Sequence, residues 1–311
     1  MKKLSIIVPC YNEQETIDIY LQEMKQVEAN MSLEFEYLFV NDGSKDDTLL
    51  RLKAAANQYT NVNYISFSRN FGKEAALIAG LEAVTGDLIT VMDVDLQDPP
   101  ELLPEMYEKI QEGYDIIGTR RYNRVGEPMI RSFFAKKFYQ IINRISDTEM
   151  VDGARDFRLM TRQVVDAVLE LTEVNRFSKG IFSWVGFNTY YISYENRERS
   201  AGETTWNFWS LFQYSLEGII NFSEAPLIFS TLVGLGSCII SMLAMIYFFV
   251  SSLLKQNQVP GWPSLVCIIL FLGGLQLFCL GIVGKYIGKI FTEVKKRPNY
   301  IIEESHCKSE D

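Results

Sequence analysis

Apolar positions along the chain fall into two regimes. Through the first 120 positions they form short runs rich in β-branched and aromatic residues: LSIIVP (4–9), EYLFVND (36–42), NVNYISFS (61–68), DLITVMD (87–93) and YDIIGT (114–119). Between them, segments such as ETIDIYLQEMKQVEA and KEAALIAGLEAV carry apolar residues at helical spacing. Strands alternating with amphipathic helices predict βαβ units and a mainly parallel sheet. Ligands of such sheets bind outside the carboxyl ends of the strands. PCYNE, NDGSKDDT, SRNFGKE and DVDLQDPP sit at those ends, so four strand ends are expected to converge on one site.

The second regime is continuous. LIFSTLVGLGSCIISMLAMIYFFVSSLL (227–254) and WPSLVCIILFLGGLQLFCLGIVG (262–284) contain no charged residue. Each exceeds the roughly 20 residues that cross a hydrocarbon core, which predicts two transmembrane helices joined by the short connector KQNQVPG. Lys285, Lys289, Lys295, Lys296 and Arg297 follow the second run, whereas the connector holds only Lys255. The positive-inside rule then puts both termini and the N-terminal domain in the cytoplasm, at the plasma or inner membrane.

WNFWSLFQYSLEGIINF (206–222) mixes aromatic and aliphatic residues with few charges and reads as an interfacial amphipathic helix, or else a further helix of the domain. The expected organisation is an α/β domain over 1–205, an interfacial helix over 206–224, a hairpin within 225–290 and a polar tail over 291–311. The final EESHCKSED is expected to be disordered. The opening MKKLSIIVPCYNE begins like a signal peptide, but Pro9 and Asn12 break its apolar stretch, so a strand is expected there.

Composition narrows the chemistry. The net charge is −9, with no basic block before residue 285, which removes nucleic acid as a partner. Five cysteines without a CxxC pair read as reduced residues. The single histidine, His306, lies in the tail, so Ser-His-Asp, Cys-His and histidine-rich metal sites lack their central residue. Neither GxxxxGK[ST] nor GxGxxG follows the first strand.

Carboxylate chemistry with a hard cation remains. Asp93 and Asp95, two apart on an extended chain, would face one ligand. Such oxygen ligands suit Mg²⁺ or Mn²⁺ shared with substrate phosphates. Asp98, ahead of Pro99 and Pro100 with Glu101 in the first turn, reads as a helix N-cap. Lys73 either pairs with a donor phosphate or is a surface lysine at a helix start.

IIVPCYNE, VNDGSKDDT, SRNFGKEAAL, MDVDLQDPPE, GARDFRLM and RSAGETTW, in this order, resemble the polyprenyl-phosphate glycosyltransferases of inverting glycosyltransferase family 2, which includes dolichol-phosphate mannosyltransferases and bactoprenol glucosyltransferases. The likeness spans about residues 4–209, and the two C-terminal runs match the bactoprenol branch. It implies a GT-A-type domain that binds a nucleotide-sugar. By the same resemblance Pro9, Tyr11, Asn12, Glu13 and Asp42 hold the donor nucleoside. Asp93 contacts nucleotide or metal, Asp95 with Gln97 binds the cation, and Asp156 stands where the family places its catalytic base. Arg131 and Arg199 match positions that meet donor or acceptor phosphates, and Arg155 joins them as a candidate. Where a common family form carries lysine this chain has Thr205, so a phosphate contact through that lysine has no counterpart here.

A phosphate monoester has a second pKa of about 6 and is already ionised near neutrality, so such an acceptor needs little deprotonation. Asp156 then acts as a base, orients the acceptor, or positions Arg155 or Arg158. Further arginines, Arg120, Arg121, Arg124 and Arg197, offer phosphate forks or a solvated basic face.

The function implied is transfer of a hexose, glucose first, from a UDP-sugar to undecaprenyl phosphate. The alternatives are another sugar (N-acetylglucosamine, galactose, mannose, modified arabinose), a polysaccharide synthase, or a non-catalytic membrane scaffold. The synthase's QxxRW is absent, and the intact acidic residues stand against the scaffold. GLG (234–236) and GG (273–274) permit close helix contact in a homo-oligomer.

Overall fold

The structure, a computed structural model, describes residues 1–121, 140, 142–145, 151, 153–194, 219–221, 223–254 and 261–307. Arg124, Arg131, Arg197, Arg199 and Thr205, residues 255–260 of the connector, and most of the expected interfacial helix lie outside them.

Period-two alternation splits each central strand between two cores. In β1 (Lys3–Cys10), Leu4, Ile6, Val8 and Cys10 enter one cluster and Ile7 the other; in β2 (Glu34–Asn41), Phe35, Tyr37 and Phe39 oppose Leu38 and Val40. Helices cover both faces. The apolar stripes of α1 (Ile17–Glu28), α2 (Thr48–Gln58) and α4 (Leu103–Gln111) pack on the first cluster. Those of α3 (Lys73–Ala83), α5 (Arg162–Leu169) and α6 (Ser178–Trp184) pack on the second. The result is a three-layer α/β/α domain.

β3 (Val62–Phe67), β4 (Leu88–Val91), β5 (Ile116–Arg121), β6 (Ala154–Thr161), β7 (Thr189–Tyr194) and β8 (Ile302–His306) complete one eight-stranded sheet of order β7-β5-β6-β4-β1-β2-β3-β8. β1 to β4 are parallel, and strand order reverses between β1 and β4. β5 does not adjoin β4. The antiparallel β6 inserts between them and brings Asp156 to the same edge as the ends of β1 and β4.

β4 is shorter than its apolar pattern predicts. Met92 N–H donates to Ile7 O, while Asp42 N–H donates to Cys10 O. Odd residues of β1 therefore serve β4, and the next odd residue is Pro9, which has no N–H to continue the ladder. The chain turns at Val94–Asp95 and Leu96 adopts φ 56°. Asp93 and Asp95 are thus not on one face of an extended strand, contrary to the sequence expectation.

Residues 303–306 of the expected disordered tail belong to a strand instead, while 308–311 lie outside the described residues. β8 pairs antiparallel with β3 and closes the sheet edge, a position that polar strands commonly fill. Lys53 Nζ lies 2.7 Å from Glu304, His306 stacks on Tyr64 and Tyr300 on Phe67, with centroids 5.9 and 5.0 Å apart. Its outward polar residues made this strand read as solvated tail.

Between the domain and β8 run α7 (Ala225–Leu254) and α8 (Trp262–Lys295). Both contain windows long and apolar enough to cross a membrane, with 6% and 0% of the window buried.

Tyr300→Ala is expected to cost about 2 kcal/mol and to lower the melting temperature by about 2–4 °C, read by intrinsic fluorescence in detergent. An unchanged melting temperature would show that β8 does not help hold the sheet.

Candidate functional site

The loops after β1, β2 and β3 are stitched into one floor. Asn12 N–H donates to Ser44 Oγ and Lys45 N–H to Asn12 Oδ1, each at 2.9 Å, and Glu13 N–H donates to Thr48 Oγ1 at 2.8 Å. Gly43 has φ 62°, and a Cβ there would fall 2.2 Å from the Arg69 carbonyl carbon, so only glycine permits this approach. Asp42 is 4% exposed and accepts Phe71 N–H at 2.6 Å and Gly72 N–H at 2.9 Å. Burial raises its carboxyl pKa, against the pull of those two amides and Arg69. Asp42 therefore clamps the loop that leads to α3. Tyr11 stands exposed beside it and Pro9 is half-buried.

The clamped loop delivers Lys73 at the first position of α3. Its Nζ lies 2.7 Å from Asp93 Oδ1 and 2.6 Å from Asp156 Oδ2. One ammonium thus joins carboxylates from the end of β4 and from β6. Burial disfavours the charged forms, but the pairing wins on both sides. Lys73 is held well above the usual lysine range, and Asp156, with Lys73, Lys179 and Arg158 around it, well below the usual carboxylate range. An Asp156 so held is a weak base.

α6 supplies the second lysine. Burial pushes the Lys179 amine down and Asp156 pulls it back up. Ser178 donates its backbone N–H and its hydroxyl to Glu74, the residue after Lys73, so α3 and α6 are tied at the site. The Arg158 guanidinium lies 4.0 Å over the Phe182 ring and donates to Arg155 O at 3.0 Å.

The loop after β4 has its own polar core. Asp95 is 7% exposed, and its Oδ1 accepts Gln97 N–H at 3.1 Å. Asp98 is 2% exposed and is not a helix cap: the 3₁₀ turn Pro100–Leu102 starts after Pro99 without a side-chain cap. Asp98 instead accepts from the Tyr194 hydroxyl and from Arg155 Nε at 3.1 Å, with Arg121 Nη2 3.9 Å away. Burial and then Asp98 push the Tyr194 phenol up to about 12. Arg121 Nη2 also donates to Gln97 Oε1 at 3.3 Å. Arg155, expected at an acceptor phosphate, is anchored through Nε to this loop.

Asp93, Asp95 and Gln97 carry oxygens of the kind hard cations take, but here Asp93 is paired with Lys73, Asp95 Oδ1 accepts the Gln97 amide and Gln97 Oε1 accepts from Arg121. Lys73 supplies the positive charge that meets Asp93 in this structure. Among the described residues no group of three or more His, Cys, Asp or Glu side chains could hold a metal. Any cation held there would need substrate oxygens to complete its shell.

Pro9, Tyr11, Asn12, Glu13, Asp42, Lys73, Asp93, Asp95, Gln97 and Asp156 thus lie on the loops and strand ends along one edge of the sheet. Sequence reasoning missed Lys179 and Tyr194, which carry no motif signal, and Glu74, which lies within SRNFGKEAAL without a role read for it. It misread Asp98, whose cue was an aspartate directly ahead of two prolines.

Residues 5–169 match the profile described as "Glycosyl transferase family 2". The chain is 44% identical to "Putative glycosyltransferase CsbB" of Bacillus subtilis over 99% of this chain and 93% of that protein. It is 43% identical to the "SfII prophage-derived bactoprenol glucosyl transferase" of Shigella flexneri over 98% of each. Among solved structures, glucosyl-3-phosphoglycerate synthase from Mycobacterium tuberculosis in complex with Mn²⁺, UDP-glucose and phosphoglyceric acid shares 17% identity at a TM-score of 0.46, over 70% of this chain and 78% of that one.

The bridge fixes a pH window. The lowered Asp156 contributes stability above its unfolded pKa of about 3.9, lost as pH falls through the folded value; the raised Lys73 contributes below about 10.4, lost as pH rises through its folded value. Asp156→Asn is therefore expected to lower the melting temperature by a constant amount from about pH 5 to 9. A gap that closes near pH 7 would mean that Asp156 titrates there.

Proposed function

The chain belongs to glycosyl transferase family 2 and is a glycosyltransferase, and from that premise we propose that it transfers glucose from UDP-glucose to undecaprenyl phosphate with inversion. The observation that carries this reading is a relative named bactoprenol glucosyl transferase, aligned over 98% of both chains. Two apolar helices of spanning length agree with a lipid acceptor, because its tail stays in the bilayer and its phosphate at the interface. The basic residues Lys285, Lys289, Lys295, Lys296 and Arg297 at the end of α8 support a catalytic domain on the cytoplasmic side.

In this reading the donor nucleoside lies on the floor formed by Pro9, Tyr11, Asn12, Glu13 and the Asp42 clamp. Asp93, Asp95 and Gln97 would hold Mg²⁺ or Mn²⁺, which offsets charge on the departing diphosphate. Lys73 moves from Asp93 toward that diphosphate. An oxygen of the acceptor phosphate attacks the anomeric carbon from the face opposite UDP; the new C–O bond forms as the bond to the diphosphate breaks. The acceptor arrives ionised, so Asp156, held low by its lysines, orients cationic groups around the acceptor. Arg131 and Arg199 remain the phosphate-binding candidates.

Purified protein with undecaprenyl phosphate, Mg²⁺ or Mn²⁺ and a panel of nucleotide-sugars is expected to give one glycosyl-phospholipid, with UDP-glucose as donor, by mass spectrometry of the organic phase. Asp95→Asn is expected to lower turnover by about 100-fold or more. Absence of product from every donor, while UDP still binds, would overturn the lipid acceptor. Product from a different donor would overturn glucose and leave the reaction class standing.

A further inference from the structure

The segment between α5 and α6 is a loop in sequence, yet it is held at every residue from 174 to 178. Glu293, in the last turn of α8, accepts Val174 N–H at 3.0 Å and Asn175 N–H at 2.9 Å. The Asn175 amide nitrogen donates to Thr292 Oγ1 at 2.8 Å and to Glu293 at 3.0 Å; its amide oxygen accepts Lys289 Nζ at 3.1 Å, and its backbone carbonyl accepts Asn221 Nδ2 at 3.1 Å. Every hydrogen-bonding group of Asn175 is thus engaged, mostly by one face of one helix. Arg176 donates to the carbonyls of Leu171 and Val168, which ties the segment back to α5. Phe177 is 4% exposed, and Ser178 is bound to Glu74. The next residue is Lys179.

Loops are ordinarily solvated and variable. A loop whose amides are capped by a helix from outside the domain has its position set by that helix. Here the helix is α8, whose apolar stretch ends at Gly284. Glu293 lies eight residues beyond Lys285, or about 12 Å along the axis at 1.5 Å per residue. That distance carries it past a headgroup layer of about 5–7 Å. From Glu293 the contacts lead to Asn175 and, three residues along the chain, from Ser178 to Glu74. The neighbours of these two are Lys179 and Lys73, of which Lys73 bonds Asp156 at 2.6 Å and Lys179 faces it as a nearby charge.

We propose that Glu293 and Asn175 form a positioning joint through which the membrane hairpin sets α6, and with it Lys179, against Asp156. Resting on the transfer reaction read above, the joint ties the catalytic constellation to the bilayer, so that the cleft is assembled at a fixed height over the lipid phosphate. Glu293 and Asn175 are positioning residues and touch neither substrate. Their effect belongs on the chemical step, because the donor floor of Asn12 and Asp42 is built from other loops.

The test uses full-length protein in nanodiscs with four forms: wild type, Glu293→Ala, Lys179→Met and the double variant, with Glu293→Gln as a conservative control. Glu293→Ala is expected to lower kcat roughly 10- to 100-fold and to leave the KM for the nucleotide-sugar unchanged. In the Lys179→Met background it is expected to have little further effect, since the joint acts through that lysine. Glu293→Gln, which keeps one carbonyl acceptor, should recover part of the loss. Hydrogen exchange gives a readout independent of turnover: the amides of residues 174–184 should lose protection in Glu293→Ala while those of β1 and β2 keep theirs. Multiplicative losses in the two backgrounds, or unchanged exchange in α6, would overturn the joint. If wild type forms no product, the transfer reading fails and the exchange result alone decides on the joint.

Discussion

One ammonium between two carboxylates organises this site. Lys73 meets Asp93 and Asp156 at 2.7 and 2.6 Å, and neither acid could sit beside the other without a positive charge between them. Three separate pieces of chain must arrive together for that contact: the end of β4, the middle of the sheet through β6, and the first turn of α3. The Asp42 clamp and the glycine at position 43 fix the loop that aims Lys73, and Glu74 ties the same turn to α6. A site built this way has a cation waiting where the proposed reaction needs one.

The sheet explains why these pieces meet. Strand order reverses between β1 and β4, the place where α/β sheets open a crevice. Pro9 ends the β1–β4 ladder at that point, and the released chain turns through Leu96 to carry Asp95, Gln97 and Asp98 into the crevice. The insertion of β6 against β4 adds Asp156 from the far half of the domain. Polar groups there reach one another across the loop: Asp98 Oδ1 takes Arg155 and Tyr194, while its buried Oδ2 has no hydrogen-bond partner among the described residues, and Arg121 reaches Gln97. Among the described residues the domain is held to the hairpin by the capped loop at Asn175, by Ser223 on the Ile145 carbonyl and by the β8 strand that follows α8 on the sheet edge.

Much of this was legible in the sequence, for physical reasons that differ by element. The β-rich runs announced β1 to β5 because burial on both faces demands continuous apolar residues, and the uncharged runs announced α7 and α8 because a bilayer admits little else. The motifs singled out Asn12, Glu13 and Asp42, which the structure stitches into one floor from the loops after the first three strands. Extended geometry at Asp93 and Asp95 failed because a missing N–H on the neighbouring strand, not the local pattern, ends β4. Asp98 satisfied the preferences of an N-cap equally well, and only tertiary contacts with Arg155 and Tyr194 decide its role. β8 was hidden because an edge strand with polar outward residues has the composition of a solvated tail. Lys179 and Glu293 gave no signal, since their partners lie far away in sequence.

The most direct measurement is the structure of the protein with UDP and Mn²⁺, with the anomalous signal locating the metal. The expected result is a single metal peak within coordinating distance of Asp95 or Asp93, UDP on the loops of Asn12 and Asp42, and Lys73 withdrawn from Asp93 toward the diphosphate. A metal bound elsewhere, or Lys73 still bridging Asp93 and Asp156 with UDP and Mn²⁺ in place, would contradict the central role given to that bridge.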